Sequence, residues 1–169
     1  IALSMLSPIK GYGIIKPLSD KRFHNYMLKL RQRFIPDNTI DFMHTYRNMV
    51  KITRTGKSYF VIAGDQTPTR ADFNYWSFFL NQETAFYNGI EKLSKALDFT
   101  VLFMDLYRTG RGKYSARIQL ISDDARNTSE TEIMEKYIHL LEKSLTERPD
   151  NWLWSHRRWK FNRNAPGVH

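Results

Sequence analysis

Acid–base or nucleophilic catalysis needs a base held near a partner, and the five histidines are the first candidates. His24, His44, His139, His156 and His169 show no His-x-x-x-His spacing of the kind that binds a metal. None has an Asp or Glu five residues on: those positions hold Lys29, Met49, Ser144 and Phe161, and nothing follows His169. There is no cysteine, so a thiol nucleophile, a Cys-ligated metal and a disulfide framework are excluded. A phosphate-binding Walker loop, a dinucleotide fingerprint and a Gly-x-Ser-x-Gly elbow are also missing. The sequence therefore carries no self-contained catalytic set, and no metal ligands are expected.

The strongest presentation of polar groups is residues 57–70, KSYFVIAGDQTPTR. Tyr59 to Ala63 is a short apolar run with β-branched and aromatic members, which suits a strand buried on both faces. It stops at Gly64 and delivers Asp65, Gln66 and, further on, Arg70. Open α/β sheets place their sites at such carboxyl ends of strands. The ordinary alternative is a polar turn punctuated by Pro68.

The elements around this stretch read in order. Residues 1–6 are apolar and look like the tail of a helix, so the chain is read as a piece of a longer protein. A strand is predicted over 11–15 and a helix over 20–34, started by Ser19 or Asp20. Phe23, Tyr26, Met27, Leu30 and Phe34 make its apolar face, and Lys21, Arg22, Lys29, Arg31 and Arg33 lie opposite. A short strand over 40–42 and a helix over 45–54 follow, the latter turning Tyr46, Met49, Val50 and Thr53 inward, with Gly56 as its terminal cap. Residues 72–83 are aromatic without clear period and read as a flap, or as the wall of an acyl groove. Thr84 is predicted to cap a helix reaching Leu97. A hairpin over 100–121 turns at 109–112. Ser129 and Glu132 form a capping-box signature before a helix with Ile133, Tyr137, Ile138, Leu141 and Leu145 inward. The alternation predicts an α/β fold, a mostly parallel sheet with helices on both faces, truncated at the N-terminus.

Bulk properties narrow the partners. The 169 residues are 41% hydrophobic and 14% aromatic, enough for a globular core. A net charge of +9 points to an anionic partner: nucleic acid, an anionic membrane or a phosphorylated substrate. No run of about 20 apolar residues occurs, so nothing here spans a bilayer as a helix. Residues 149–160, PDNWLWSHRRWK, interleave three tryptophans with His156, Arg157, Arg158 and Lys160. Such a stretch suits a headgroup interface or a nucleic-acid groove, or else a tail anchored by its indoles.

Three blocks together resemble one family: GDQTP after its strand (64–68), WSFFLNQETAFYNGIEKLSKAL (76–97), and the Trp-rich block at 149–160, the most specific of the three. They are similar to the bacterial lipid A biosynthesis acyltransferases, the late lauroyl/myristoyl transferases of the glycerolipid acyltransferase superfamily. The likeness runs from about residue 12 to 163 and makes 1–169 a single, partial acyltransferase domain. Leu102, where many relatives carry Pro, is a minor departure.

The resemblance implies fatty acyl transfer from an acyl carrier protein or coenzyme A thioester to a hydroxyl of a Kdo-bearing lipid A precursor. No cofactor is implied. The place would be the cytoplasmic face of the bacterial inner membrane, with an anchor in the full-length protein. The family's base, a His with an acid five residues on, is not among these residues, so the chain alone is expected to be inactive. Carried over by position, Asp65 and Gln66 should line the site. Arg33 and Arg47, with Arg31 and Lys16 as weaker candidates, would hold acceptor phosphates. Asn81, Thr84 and Phe86 would border the acyl pocket, and His156 and Arg157 lie in the signature block. The helix bearing Lys21 to Arg33 is expected to dock the carrier protein, and nucleic acid is not expected as a partner. The rivals are another glycerolipid or lysophospholipid acyltransferase, and a non-catalytic module that binds anionic lipid or nucleic acid.

Overall fold

The computed structural model describes residues 8–33, 35–69, 75–161 and 163. The apolar opening segment, Phe34, Arg70 and the first part of the aromatic stretch at 72–83 lie outside these. The chain divides into two compact units, Ile1–Ala63 and Gly64–His169. No helix among the described residues is long and apolar enough to cross a membrane.

The first unit is built on a parallel sheet of β1 (Lys10–Ile15), β2 (Thr39–Asp41) and β3 (Ser58–Val61), in the order β2-β1-β3. Gly13 pairs with Thr39 on one side of β1, and Tyr12 pairs with Phe60 on the other. Parallel neighbours need crossovers, and two helices supply them. The first, α1 (Lys21–Arg31), starts at Asp20, whose extended backbone and carboxylate cap the Phe23 N–H at 2.7 Å. Lys29 and Arg31 in its last turn face the negative end of the helix dipole. The second, α2 (Thr45–Thr53), follows a 3₁₀ turn at Phe42–His44 and buries Met49.

Two expectations change in this unit. The run over 59–63 is not buried on both faces: β3 is half-buried, with Val61 39% exposed. Its physical cause is position, since β3 pairs only with β1 among the described residues. The apolar face of α1 is not a core face either. No residue of α1 is buried, and Phe23, Tyr26 and Leu30 are exposed. Likewise Tyr46 of α2 points to solvent.

The second unit begins with an antiparallel pair, β4 (Tyr75–Phe79) and β5 (Gln82–Phe86). Leu80 and Asn81 join them, both in the left-handed region (φ 51° and 60°), which is a tight turn whose twist matches that of the strands. What read as a flap and a helix cap is thus a hairpin. Thr84 lies inside β5, and the helix α3 starts later, at Gly89–Leu97. A second hairpin, β6 (Val101–Gly110) and β7 (Lys113–Ser122), turns through Arg111 and Gly112 as expected. The expected mostly parallel sheet therefore holds for the first unit's three strands; both hairpins are antiparallel, and the fold is mixed α/β.

The long helix α4 (Glu132–Glu147) buries Ile133, Met134, Ile138, Leu141 and Leu145. These join Phe79, Phe86, Val101 and Phe103 in one core. The capping box forms in part. Glu132 accepts from the Ser129 N–H and hydroxyl, at 3.0 and 2.9 Å, but the first turn of α4 is capped by Glu91 of α3. Buried Glu91 accepts from the Thr131 and Met134 N–H groups at 2.7 and 3.2 Å, and Lys95 pairs with it at 3.0 Å. At the other end, buried Asp105 of β6 accepts from Ser144 at 2.7 Å and from Arg148 at 2.9 Å. The β6–β7 face on the Asp105 side is the one α4 covers. The opposite face carries the pairs Leu102–Leu120 and Met104–Ile118, all four exposed.

Candidate functional site

The second unit brings all three sequence blocks together. The Thr67 N–H donates to His156 Nε2 at 3.0 Å, across 89 residues of chain. The Thr67 hydroxyl shares its one proton between the carbonyls of Arg157 and Arg158, at 2.9 and 2.6 Å. The N–H and the hydroxyl of one small residue thus fasten the turn at 64–68 to the Trp-rich block. As an acceptor, His156 Nε2 carries no proton, so the imidazole is held in one tautomer.

Gly64 fixes the other side of the turn. A Cβ there would sit 2.9 Å from the Tyr137 hydroxyl oxygen and 3.0 Å from Ile90 Cδ1. A side chain at this position would press on the tips of Tyr137 and Ile90, which the glycine leaves in place. Asp65, half-buried, and Gln66, exposed, follow on a backbone held from two directions.

Behind the turn lies Arg158, only 2% exposed. Its guanidinium packs over the Phe86 ring, 4.5 Å from the centroid, and Nη2 donates to the Ala85 carbonyl at 2.9 Å. Nε and Nη1 are buried without a hydrogen-bond partner among the described residues. Burial pushes its pKa down to about 10, while the Tyr137 oxygen and the Asp65 carboxylate act to hold it up. It therefore stays protonated at neutral pH. The Tyr137 phenol is pushed up, first by burial and then by the Asp65 carboxylate. Asp65 thus sits in the field of a buried cation and beside a neutral phenol, a place for an orienting or binding carboxylate rather than a proton-transfer pair.

The rest of the block anchors through its indoles. Trp152 and Trp159 lie 5.9 and 6.3 Å from the Phe79 ring. The Trp159 Nε1–H donates to the buried Thr84 hydroxyl at 2.9 Å. Trp154 is exposed, its Nε1–H donating to the Pro149 carbonyl. So the division of labour expected of this block, indoles inward and bases outward, is crossed: Trp154 is out and Arg158 is in. Arg157 is exposed. Thr84 and Phe86 are both in the core, and Asn81 stands exposed in its hairpin turn. Arg158, Tyr137 and Thr67 were missing from the sequence-derived candidates. The one signal for Arg158 was its place in a Trp-rich block.

The basic candidates belong to the first unit. Arg47 shares a depression of about 530 Å³ with His44, Lys51 and Arg54, all on one side of α2. Arg31 lies on the inner side of α1, with Nη1 buried and lacking a hydrogen-bond partner among the described residues. Arg33 is exposed just past α1, and Lys16 holds its ammonium 5.3 Å from the Phe42 centroid. Among the described residues no group of three His, Asp or Glu could hold a metal ion.

Comparison with curated proteins returned no match. A family model described as bacterial lipid A biosynthesis acyltransferase matches residues 4–161. The match spans both the turn and the block that Thr67 ties together, and by it the chain belongs to the bacterial lipid A biosynthesis acyltransferases.

Proposed function

We propose that this chain is the substrate-binding body of an enzyme that moves a fatty acyl group from an acyl carrier protein or coenzyme A thioester to a hydroxyl of a lipid A precursor. In that step the acceptor oxygen forms the new C–O bond, the C–S bond breaks, and the hydroxyl proton passes through a base to the leaving thiolate, which departs as the thiol. The observation that carries the reading is the family match running through both blocks joined at Thr67. Asp65 and Gln66 would face the reacting end of the acceptor, with Asp65 in the field of the buried Arg158 cation. Among the cations of the first unit, Arg33 and Arg47, with Arg31 and Lys16 as weaker candidates, would suit a phosphate, since a guanidinium can bind phosphate oxygens in pairs. The acyl donor and the cytoplasmic face of the inner membrane belong to this proposal as well.

No histidine of the sequence has an acid five residues on. The general base is therefore proposed to come from outside these residues, and the chain alone should bind substrate without transferring the acyl group.

The test uses full-length protein, labelled acyl-carrier thioester and a Kdo-bearing lipid A precursor. Asp65→Ala should lower kcat/KM about 100-fold, as for loss of a preorganised polar group at a reacting centre. Unchanged transfer would make Asp65 a turn residue only. Label arriving in a lysophospholipid instead would assign the chain to another glycerolipid acyl transfer.

A further inference from the structure

The outer side of α1 has an order that the net charge does not explain. At about 100° per residue, Phe23, Tyr26 and Leu30 share an arc of roughly 60°, and Arg22 and Lys29 fill the next. The three apolar side chains are 54%, 57% and 40% exposed. The two rings stack on each other at the surface, 6.5 Å between centroids. Arg22 and Lys29 are exposed, while His24, Met27, Leu28 and Arg31 form the half-buried inner side.

We infer that α1 lies in the headgroup region of an anionic bilayer. An aromatic strip beside a basic strip is what that boundary selects: rings settle at headgroup depth, and long basic side chains reach the phosphates. With eleven residues α1 is about 16 Å long, half of a hydrocarbon core, so it lies along the surface and does not span it. Charge complementarity names the surface. Residues 1–63 carry eleven Lys and Arg against three Asp. The inference rests on the membrane face of the proposed function but not on acyl transfer, because lipid binding is measured with no thioester present.

The experiment is partition of the full chain onto vesicles of phosphatidylcholine with about 30 mol% phosphatidylglycerol, against phosphatidylcholine alone. Each base near an anionic surface contributes about fivefold in affinity, so Arg22→Ser with Lys29→Ser should weaken partition about 25-fold. Phe23→Ser with Tyr26→Ser should weaken it about tenfold. Because the sequence has no cysteine, Leu30→Cys takes a single polarity-sensitive dye in an otherwise unaltered chain. Its emission should shift to the blue on anionic vesicles, and dye at Arg47→Cys should not. A vesicle-bound chain whose Leu30 dye does not shift overturns the proposal. So does a pair of α1 variants that keep vesicle affinity but lose binding to an acidic carrier protein, which would make α1 a protein-docking face.

Discussion

The two units use charge in opposite ways. The first carries eleven bases against three acids, a net +8, with ten of the bases exposed and Arg31 half-buried. The second carries fifteen against fourteen, close to neutral, yet it buries Arg158, Asp105 and Glu91. Exposed cations at this density do little for folding, since surface pairs contribute about 0–1 kcal/mol each, but they concentrate anions. Buried charges are unsafe to leave unpaired. Asp105 and Glu91 spend their oxygens on the two ends of α4, and Arg158 backs the turn that carries Asp65. Net charge thus marks the unit with exposed cations, and buried charge marks the unit that carries the candidate site.

The contrast can be broken from either side. Arg158→Ala empties a large buried site and should cost about 3–5 kcal/mol in urea unfolding, whereas Arg158→Met should cost under about 1.5 kcal/mol because it refills the volume without a charge. Equal losses would mean that the charge and not the packing matters. Arg148→Ala strands buried Asp105 with only Ser144 as donor, and a loss of about 2–3 kcal/mol is expected. Thr67→Val should cost about 1–2 kcal/mol and speed amide exchange over 64–68 without touching α1. Acid provides a finer probe. Hydrogen bonds from Lys136 and Ser129 hold Glu132 down at about 2, against 4.5 for the free side chain. Its stabilisation is complete above pH 4.5 and fades as pH falls toward 2. The urea-midpoint gap between wild type and Glu132→Gln should close across that interval. Smallest of all, Lys51→Ser with Arg54→Ser should leave stability within about 0.5 kcal/mol while weakening retention on a cation exchanger. A large destabilisation there would erase the distinction between the units.

What could be read from the sequence follows the range of the interactions. The strands and helices of the first unit and the long helix α4 are local, and periodicity with caps such as Asp20 found them. The β4–β5 hairpin escaped because its turn is Leu80–Asn81, without the glycine that usually announces two left-handed residues, and because aromatics sit on both faces of β4. Alternation along β7 revealed two faces but not which one α4 would cover. That choice depends on Asp105 reaching Ser144 and Arg148, some forty residues away. At the site, Asp65–Gln66 and the Trp-rich block were each legible as motifs. Their union through Thr67 was not, because it spans 89 to 91 residues and leaves no local trace. Arg158 read as one more surface base for the same reason: its burial is made by Phe79 and Phe86.

That union also has a timetable. Thr67 cannot find its carbonyl partners until Arg157 and Arg158 have been made, and Phe79 waits as long for Trp159. At about 5–20 residues per second, this stretch takes roughly 5–20 s to synthesise. Throughout that time the growing chain holds Phe79 and Phe86 without the lid that closes over them. The Trp-rich block at 149–160 thus acts as the closing step of biosynthesis, and a nascent chain stalled before it presents open aromatic core to chaperones and proteases.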